Sequence, residues 1–182
     1  MQPIDFVGFA GDCTITGRLT MFGDRLTDFL NGQERFLVHH LECQSLADGH
    51  TVALDSLSLT RNDLLAVVGT GPRGSAKQRV PLQANRLQAS IGPYLILGQL
   101  HAKPGTDAVS SVMKRDPMVP LTNATIAYEV AGSIVARDVG TIIVNRLLLD
   151  WVSPSTDLGT LFSDVPVRSA FAAQMQRNKS GA

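Results

Sequence analysis

The chain has 182 residues, 44% of them hydrophobic and 18% charged, with a formal net charge of zero, which is the balance of a globular domain and excludes a disordered or collagen-like chain. Its uncharged apolar runs are too short to span a bilayer, the N-terminus lacks the basic-then-apolar order of a secretory signal, and Cys13 and Cys43 are too few for a disulfide framework. The expectation is a cytoplasmic protein without a membrane span, with both cysteines reduced and packed as small hydrophobes.

Residues 13–22 alternate, with Cys13, Ile15, Gly17, Leu19 and Met21 on one side and Thr14, Thr16, Arg18 and Thr20 on the other, which predicts a half-buried strand. Asp24 is placed to cap a short helix whose Leu26, Phe29 and Leu30 form an inward stripe, and Asn31-Gly32 stops it. Residues 35–46 and 51–59 read as two strands joined by a turn at Asp48-Gly49, and Leu64–Val68 as a short apolar strand after Arg61-Asn62-Asp63. Gly69–Gln78 is the clearest linker, followed by a short connecting strand that uses Val80, Leu82 and Leu87. A second series then begins. Tyr94–Ala102 is a strand, Thr106 caps a helix over 107–115, and Asp116-Pro117 ends it because the residue before proline avoids the helical region. Met118–Val130 and Ile134–Val152 flank a turn at Gly132. In the tail, Ser163 or Asp164 caps an amphipathic helix with Val167, Ala170, Phe171 and Met175 on its apolar face, and residues 178–182 are expected to be disordered.

The two series share one order of events. Gly17 falls on Gly98, Leu19 on Leu100, Leu30 on Val112, Phe36-Leu37 on Met118-Val119 and Leu64-Leu65 on Leu148-Leu149. This argues for two copies of one supersecondary unit. The fold class expected is mainly β with short helices: two pseudo-repeated β–helix–β units, barrel-like or sandwich-like, plus a C-terminal helix. The expected organisation is 1–68 for the first unit, 69–92 for a Gly-rich basic linker and connecting strand, 93–152 for the second unit and 153–182 for the tail.

Arg25-Leu26-Thr27-Asp28-Phe29-Leu30-Asn31, the stretch Met118-Val119-Pro120-Leu121-Thr122-Asn123-Ala124 and the closing Val144-Asn145-Arg146 carry a resemblance. They resemble a family of uncharacterised bacterial domains in which an RLSDFLN helix is followed by an FLPLTNA strand and a VNK-type strand. The likeness covers roughly residues 15–152. The first copy keeps the helix motif and the second the two strand motifs. The resemblance supports the β–helix–β reading and implies no catalytic or binding residue.

No catalytic, cofactor or metal constellation emerges from the motifs. Gly69-Thr70-Gly71-Pro72-Arg73-Gly74 is formally GxGxxG, but Pro81 interrupts any following helix and no acid appears before Asp107, so a flexible linker is preferred over a phosphate site. His39 and His40 point to opposite faces of a strand, and His39 and Cys43 lie about 13 Å apart along it, at about 3.3 Å per residue. Convergence with His50 or His101 would be needed for a metal site. Ser111-Val112-Met113-Lys114 matches SxxK, with loose echoes at Ser163-Asp164 and Lys179-Ser180-Gly181, in a chain too short for that enzyme fold. Glu129 and Asp138 are a candidate carboxylate pair across the Gly132 turn.

Charge is segregated. Arg73, Lys77, Arg79, Arg86 and Lys103 fall in a stretch without acids, leaving the remainder at −5. The functional expectation is a non-catalytic structural or protein-interaction module that forms a homo-oligomer, with Val167, Ala170, Phe171 and Met175 as candidate interaction residues. The alternative is a small-barrel protein that binds an anion or nucleic acid through segment 73–103, with Arg73, Lys77, Arg79 and Arg86 as candidate anion-binding residues. Few aromatic residues accompany them, which makes strong nucleic-acid binding unexpected. An enzyme whose residues converge from distant strands is a third reading.

Overall fold

Alternating sequence becomes strand throughout the computed structural model, which describes residues 2–23, 25–71 and 82–155. The chain runs β1 (Gln2–Phe9), β2 (Cys13–Met21), α1 (Leu26–Gly32), β3 (Arg35–Ser45), β4 (Thr51–Thr60), a 3-10 turn at Arg61–Asp63 and β5 (Ala66–Val68). It continues with β6 (Gln83–Ile91), β7 (Tyr94–Ala102), α2 (Ala108–Lys114), β8 (Met118–Val130), β9 (Ser133–Asn145), a 3-10 turn at Arg146–Leu148 and β10 (Trp151–Pro154). Each half is thus strand, strand, helix, strand, strand, turn, strand.

The mainly β class is as expected, but the two units are not separate barrels or sandwiches. All ten strands form one antiparallel sheet in the order β10-β6-β7-β8-β9-β5-β1-β2-β3-β4. The halves meet where β5 pairs with β9, Ala66 opposite Val144, Val67 opposite Ile143 and Val68 opposite Ile142. On its other side β5 pairs with β1. Sharing one sheet spares each half an exposed edge at the seam.

Register agrees between the halves in detail. The β2–β3 ladder shifts between Thr16 and Arg18, and the β7–β8 ladder between Leu97 and Gln99. A glycine fills each gap for a steric reason. A Cβ on Gly17 would lie 2.9 Å from the His39 carbonyl oxygen, and one on Gly98 would lie 2.8 Å from the Leu121 Cβ. On the facing strands His40 and Asn123 take up the extra residue at φ 49° and 47°, the left-handed region that opens at bulges. The registers also shift two of the alignments expected from sequence by one residue. Val119, not Met118, is the counterpart of Phe36, because Phe36 faces Leu59 while Val119 faces Val144. Leu149, not Leu148, is the counterpart of Leu64.

Two apolar cores result, one per half, and each borrows from the other. The first collects Phe6, Leu19, Leu26, Leu30, Val38 and Leu64 and takes in Met118 and Ile143 from the second half. The second collects Leu87, Ile96, Val112, Leu121, Ile126 and Val144 and takes in Phe9 and Ala66 from the first. Neighbouring residues point to opposite faces of a strand, so Ala66 and Val67 enter different cores and the seam is buried on both faces.

Several local expectations change. β1 begins well before the first strand expected, and β6 extends along nearly all of β7, so it belongs to the second half's sheet rather than to a connector. The cap of α2 is Asp107, whose carboxylate accepts the Ser110 N–H at 2.7 Å, not Thr106. Arg25 precedes α1 without a side-chain cap, and Asp24 lies outside the described residues. The tail helix with Val167, Ala170, Phe171 and Met175 also lies outside them.

Candidate functional site

Polar groups converge at the seam. Asn31, in the last turn of α1, donates from Nδ2 to the Met118 carbonyl at 3.0 Å and accepts the Met118 N–H at its Oδ1 at 2.9 Å. The carboxamide thereby acts as one more strand partner for the first residue of β8. The Arg61 guanidinium donates to the Asn31 carbonyl at 3.2 Å. Asn145, fully buried, donates to the carbonyls of Arg61 and Leu64, both at 3.3 Å, and accepts the Leu147 N–H at 3.2 Å. Its own N–H donates to the Leu65 carbonyl at 2.9 Å. A buried amide is tolerated because its donors and acceptor are engaged. Toward the hairpin end of the seam, Phe9, Tyr94 and Tyr128 form a triangle of edge-to-face rings with centroids 5.3 to 5.7 Å apart. The Tyr94 hydroxyl donates to the Ala10 carbonyl at 2.8 Å. Burial pushes its pKa up, so it stays a neutral donor. These groups join halves; they are aimed at backbone and at each other.

The residues singled out from sequence are dispersed. Arg73, Lys77 and Arg79 lie outside the described residues. Arg86 is exposed on β6 opposite Gln99, four residues along β7 from Lys103, about 13 Å at the rise of a strand. His39 and His40 sit on β3 and Cys43 further along it, while His101 shares a 2.7 Å hydrogen bond with the Thr122 hydroxyl on β8. Among the described residues no three His, Cys, Asp or Glu side chains group as metal ligands. Asp138 faces Thr125 and accepts its hydroxyl at 2.6 Å, whereas Glu129 faces Ile134, so the two carboxylates do not pair. Gly69 and Gly71 are structural: the Gly69 N–H donates to the Thr141 carbonyl, and a Cβ there would strike the Thr141 side chain at 2.8 Å. Ser111 and Lys114 lie on α2, and the residues that loosely completed that motif are outside the described set.

Cys13 and Cys43 are free, half-buried and packed against the first core, and they share a face on adjacent strands, since Cys13 faces Ser45 and Cys43 faces Ile15. Burial, then the charge of Asp12, pushes the Cys13 thiol up to about 11, and burial raises Cys43. Neither thiol is poised as a nucleophile at neutral pH. A depression of about 380 Å³ is lined by Pro3, Ile4, Asp5, Arg18, Thr70 and Gly71. Arg18 sits opposite Asp5 in the β1–β2 ladder, so its charge has a nearby counter-charge.

The two ends of the sheet differ. β4 is 10 residues long, has one edge unpaired among the described residues, and carries no Pro, Lys or Arg; Asp55 is its only charge. Val52, Leu54 and Leu57 on it are 47%, 40% and 36% exposed. Opposed residues of a ladder share a face, so their partners on β3 define their side: Leu57 faces buried Val38, Leu54 faces buried Leu41, and Val52 faces Cys43. The row thus continues the first core's face out to the open edge. β10, at the other end, is 4 residues long, ends on Pro154 and exposes Trp151 at 40%. Sequence reading found β4 as a strand but not its row, although Val52, Leu54, Leu57 and Leu59 are legible as an alternation broken once at Asp55-Ser56.

The chain matches no protein-family model, no curated protein and no solved structure. No helix among the described residues is long and apolar enough to cross a membrane.

Proposed function

We propose that this protein is a non-catalytic structural and protein-interaction module that associates with itself, built from an internally duplicated β–helix–β unit. The observation that carries this reading is the β4 edge: a long strand that no other described strand pairs on its outer side, with one charge and three half-exposed large apolar side chains. Monomeric proteins blunt such edges with Lys, Pro, bulges or short strands, because an unprotected one templates pairing with another chain. β10 is blunted in this way and β4 is not. The seam supports the same reading, since its contacts are those of one unit recognising another through strand pairing and side-chain amides.

Multi-angle light scattering of the full chain at micromolar concentration tests the proposal. The expected result is a mass above that of one chain, and a monomeric mass refutes it. Binding of nucleic acid through segment 73–103 gains no support from the described part of that segment, where Arg86 and Lys103 stand apart.

A further inference from the structure

The geometry points to a closed two-fold dimer in which β4 pairs antiparallel with β4 of a second copy. This rests on the reading that the protein self-associates, and it names the surface, the partner and the symmetry. The argument begins with the bulge. His40 on β3 inserts one residue relative to β2, and the buried residues of β3 accordingly change phase from Phe36 and Val38 to Leu41. β4 follows β3 residue for residue, so its core-side residues change phase too, from Leu59 and Leu57 to Leu54 and Val52. The result is a row that reads the same in both directions about the Asp55–Ser56 bond. Side-chain face and hydrogen-bonding direction are coupled along a strand, so all four residues present their N–H and C=O groups toward the same side. An axis through that bond sets Leu54 against Leu57 and Val52 against Leu59 of the second copy, on the same face. It also sets each Asp55 carboxylate opposite a Ser56 hydroxyl, which is a donor. Without the phase change, a two-fold at this point would oppose core-side to solvent-side residues.

The competing arrangement is head to tail, with β10 of one copy against β4 of the next in imitation of the β5–β9 seam. The sequence of the outer edges opposes it. Pro154 occupies the position of Gly69, whose N–H donates across the seam to Thr141 at 2.8 Å, and proline has no N–H to give. Thr60 occupies the position of Asn145, but its N–H is already held by the Asp63 carboxylate at 2.6 Å. Arg35 and Ser58 stand where Met118 and Ile143 enter the first core. Head-to-tail contacts generate rings or open filaments, whereas a two-fold pairing closes with one partner.

The test is light scattering on the full chain and on Leu54→Lys, Leu57→Lys and Trp151→Lys, with circular dichroism to verify folding; all three side chains are more than a third exposed, so the fold accommodates lysine. The expected result is a dimer for the intact chain and for Trp151→Lys, and monomers for the two β4 variants. Ser56→Cys supplies an independent readout. The two introduced thiols would flank the axis at a Cα separation of about 6 Å, within disulfide range, so mild oxidation yields a covalent dimer on non-reducing gels. An oligomer that survives both β4 lysines, an assembly larger than a dimer, or one that Trp151→Lys dissociates, overturns the β4 dimer while leaving self-association standing. A monomeric intact chain overturns both.

Discussion

Replacing Asn145 by alanine tests how much of the protein's stability lies in the seam. The side chain is completely buried and makes three hydrogen bonds, two donated to the carbonyls of Arg61 and Leu64 and one accepted from the Leu147 N–H. Truncation leaves two carbonyls and an N–H without these partners, the Leu64 carbonyl in a buried place and the Arg61 carbonyl and Leu147 N–H in part-buried ones. A buried group left unsatisfied costs about 1–3 kcal/mol, and since the bonds are 3.2–3.3 Å long and water can reach two of the three groups, the total is about 2–3 kcal/mol. For a chain of this size that corresponds to a fall of about 4–12 °C in Tm. Aspartate in the same position is the sharper test. It keeps the shape but at neutral pH points an anion at two carbonyl oxygens, so Asn145→Asp should be less stable than Asn145→Ala. Urea titration followed by fluorescence of Trp151 and by circular dichroism measures both, with the midpoint shifting and the slope unchanged. An alanine variant within about 0.5 kcal/mol of the parent, the scatter of ordinary surface substitutions, or an aspartate variant more stable than the alanine one, would refute the view that this amide holds the halves together.

Phe9→Ala removes one ring from the triangle with Tyr94 and Tyr128 and should cost about 3–5 kcal/mol, the range for emptying a core aromatic site; a loss below about 1 kcal/mol would mean that the two tyrosines collapse into the space. Gly98→Ala should destabilise strongly and Gly132→Ala less, since only the first brings a Cβ against a neighbour, at 2.8 Å from Leu121, and thermal unfolding of the pair decides the order. The Cys13 thiol is raised to about 11 in the folded protein. Its contribution to stability is therefore complete below the unfolded thiol pKa and lost as pH rises through the folded value. Cys13→Ala should flatten the decline in Tm on the alkaline side, and iodoacetamide should label Cys13 slowly at neutral pH. The Asp107 carboxylate is held below the usual range, first by the backbone N–H of Ser110. Its contribution is present above the ordinary carboxylate pKa and lost as pH falls through the lowered one. Asn keeps the cap without titrating, so Asp107→Asn should weaken the acid dependence of Tm below about pH 4 while leaving the neutral value near that of the parent.

Strands, helices and their order were legible because they rest on local periodicity: the alternation of 13–21, the Leu26–Leu30 stripe and the Asp48-Gly49 turn are each written within a few residues. β1 was missed because it carries Pro3, Asp5 and Gly8 and loses its alternation, and it is a strand because β2 and β5 hold it from both sides. The one-residue slip at Phe36 came from matching hydrophobic runs without the bulge at His40, which no apolar pattern announces. Seam chemistry was invisible for a different reason. Asn31 and Met118 are separated by 87 residues and meet only because β5 finds β9.

The seam joins the two halves through reciprocal side-chain bonds. Asn31 on α1 of the first half bonds the backbone of Met118, which opens β8 of the second, and Asn145 at the end of β9 bonds Arg61 and Leu64 in the first. The positions equivalent to these residues in the order of elements, Met113 on α2 for Asn31, Arg35 on β3 for Met118 and Thr60 on β4 for Asn145, lie away from the seam. Met113 is exposed, and the Thr60 backbone N–H donates to the Asp63 carboxylate. A unit whose two faces recognise each other would add copies without limit, and altering one pair of faces stops that growth. With Pro154 at one end, the β4 row is the proposed means of association, and a two-fold pairing there would end at two.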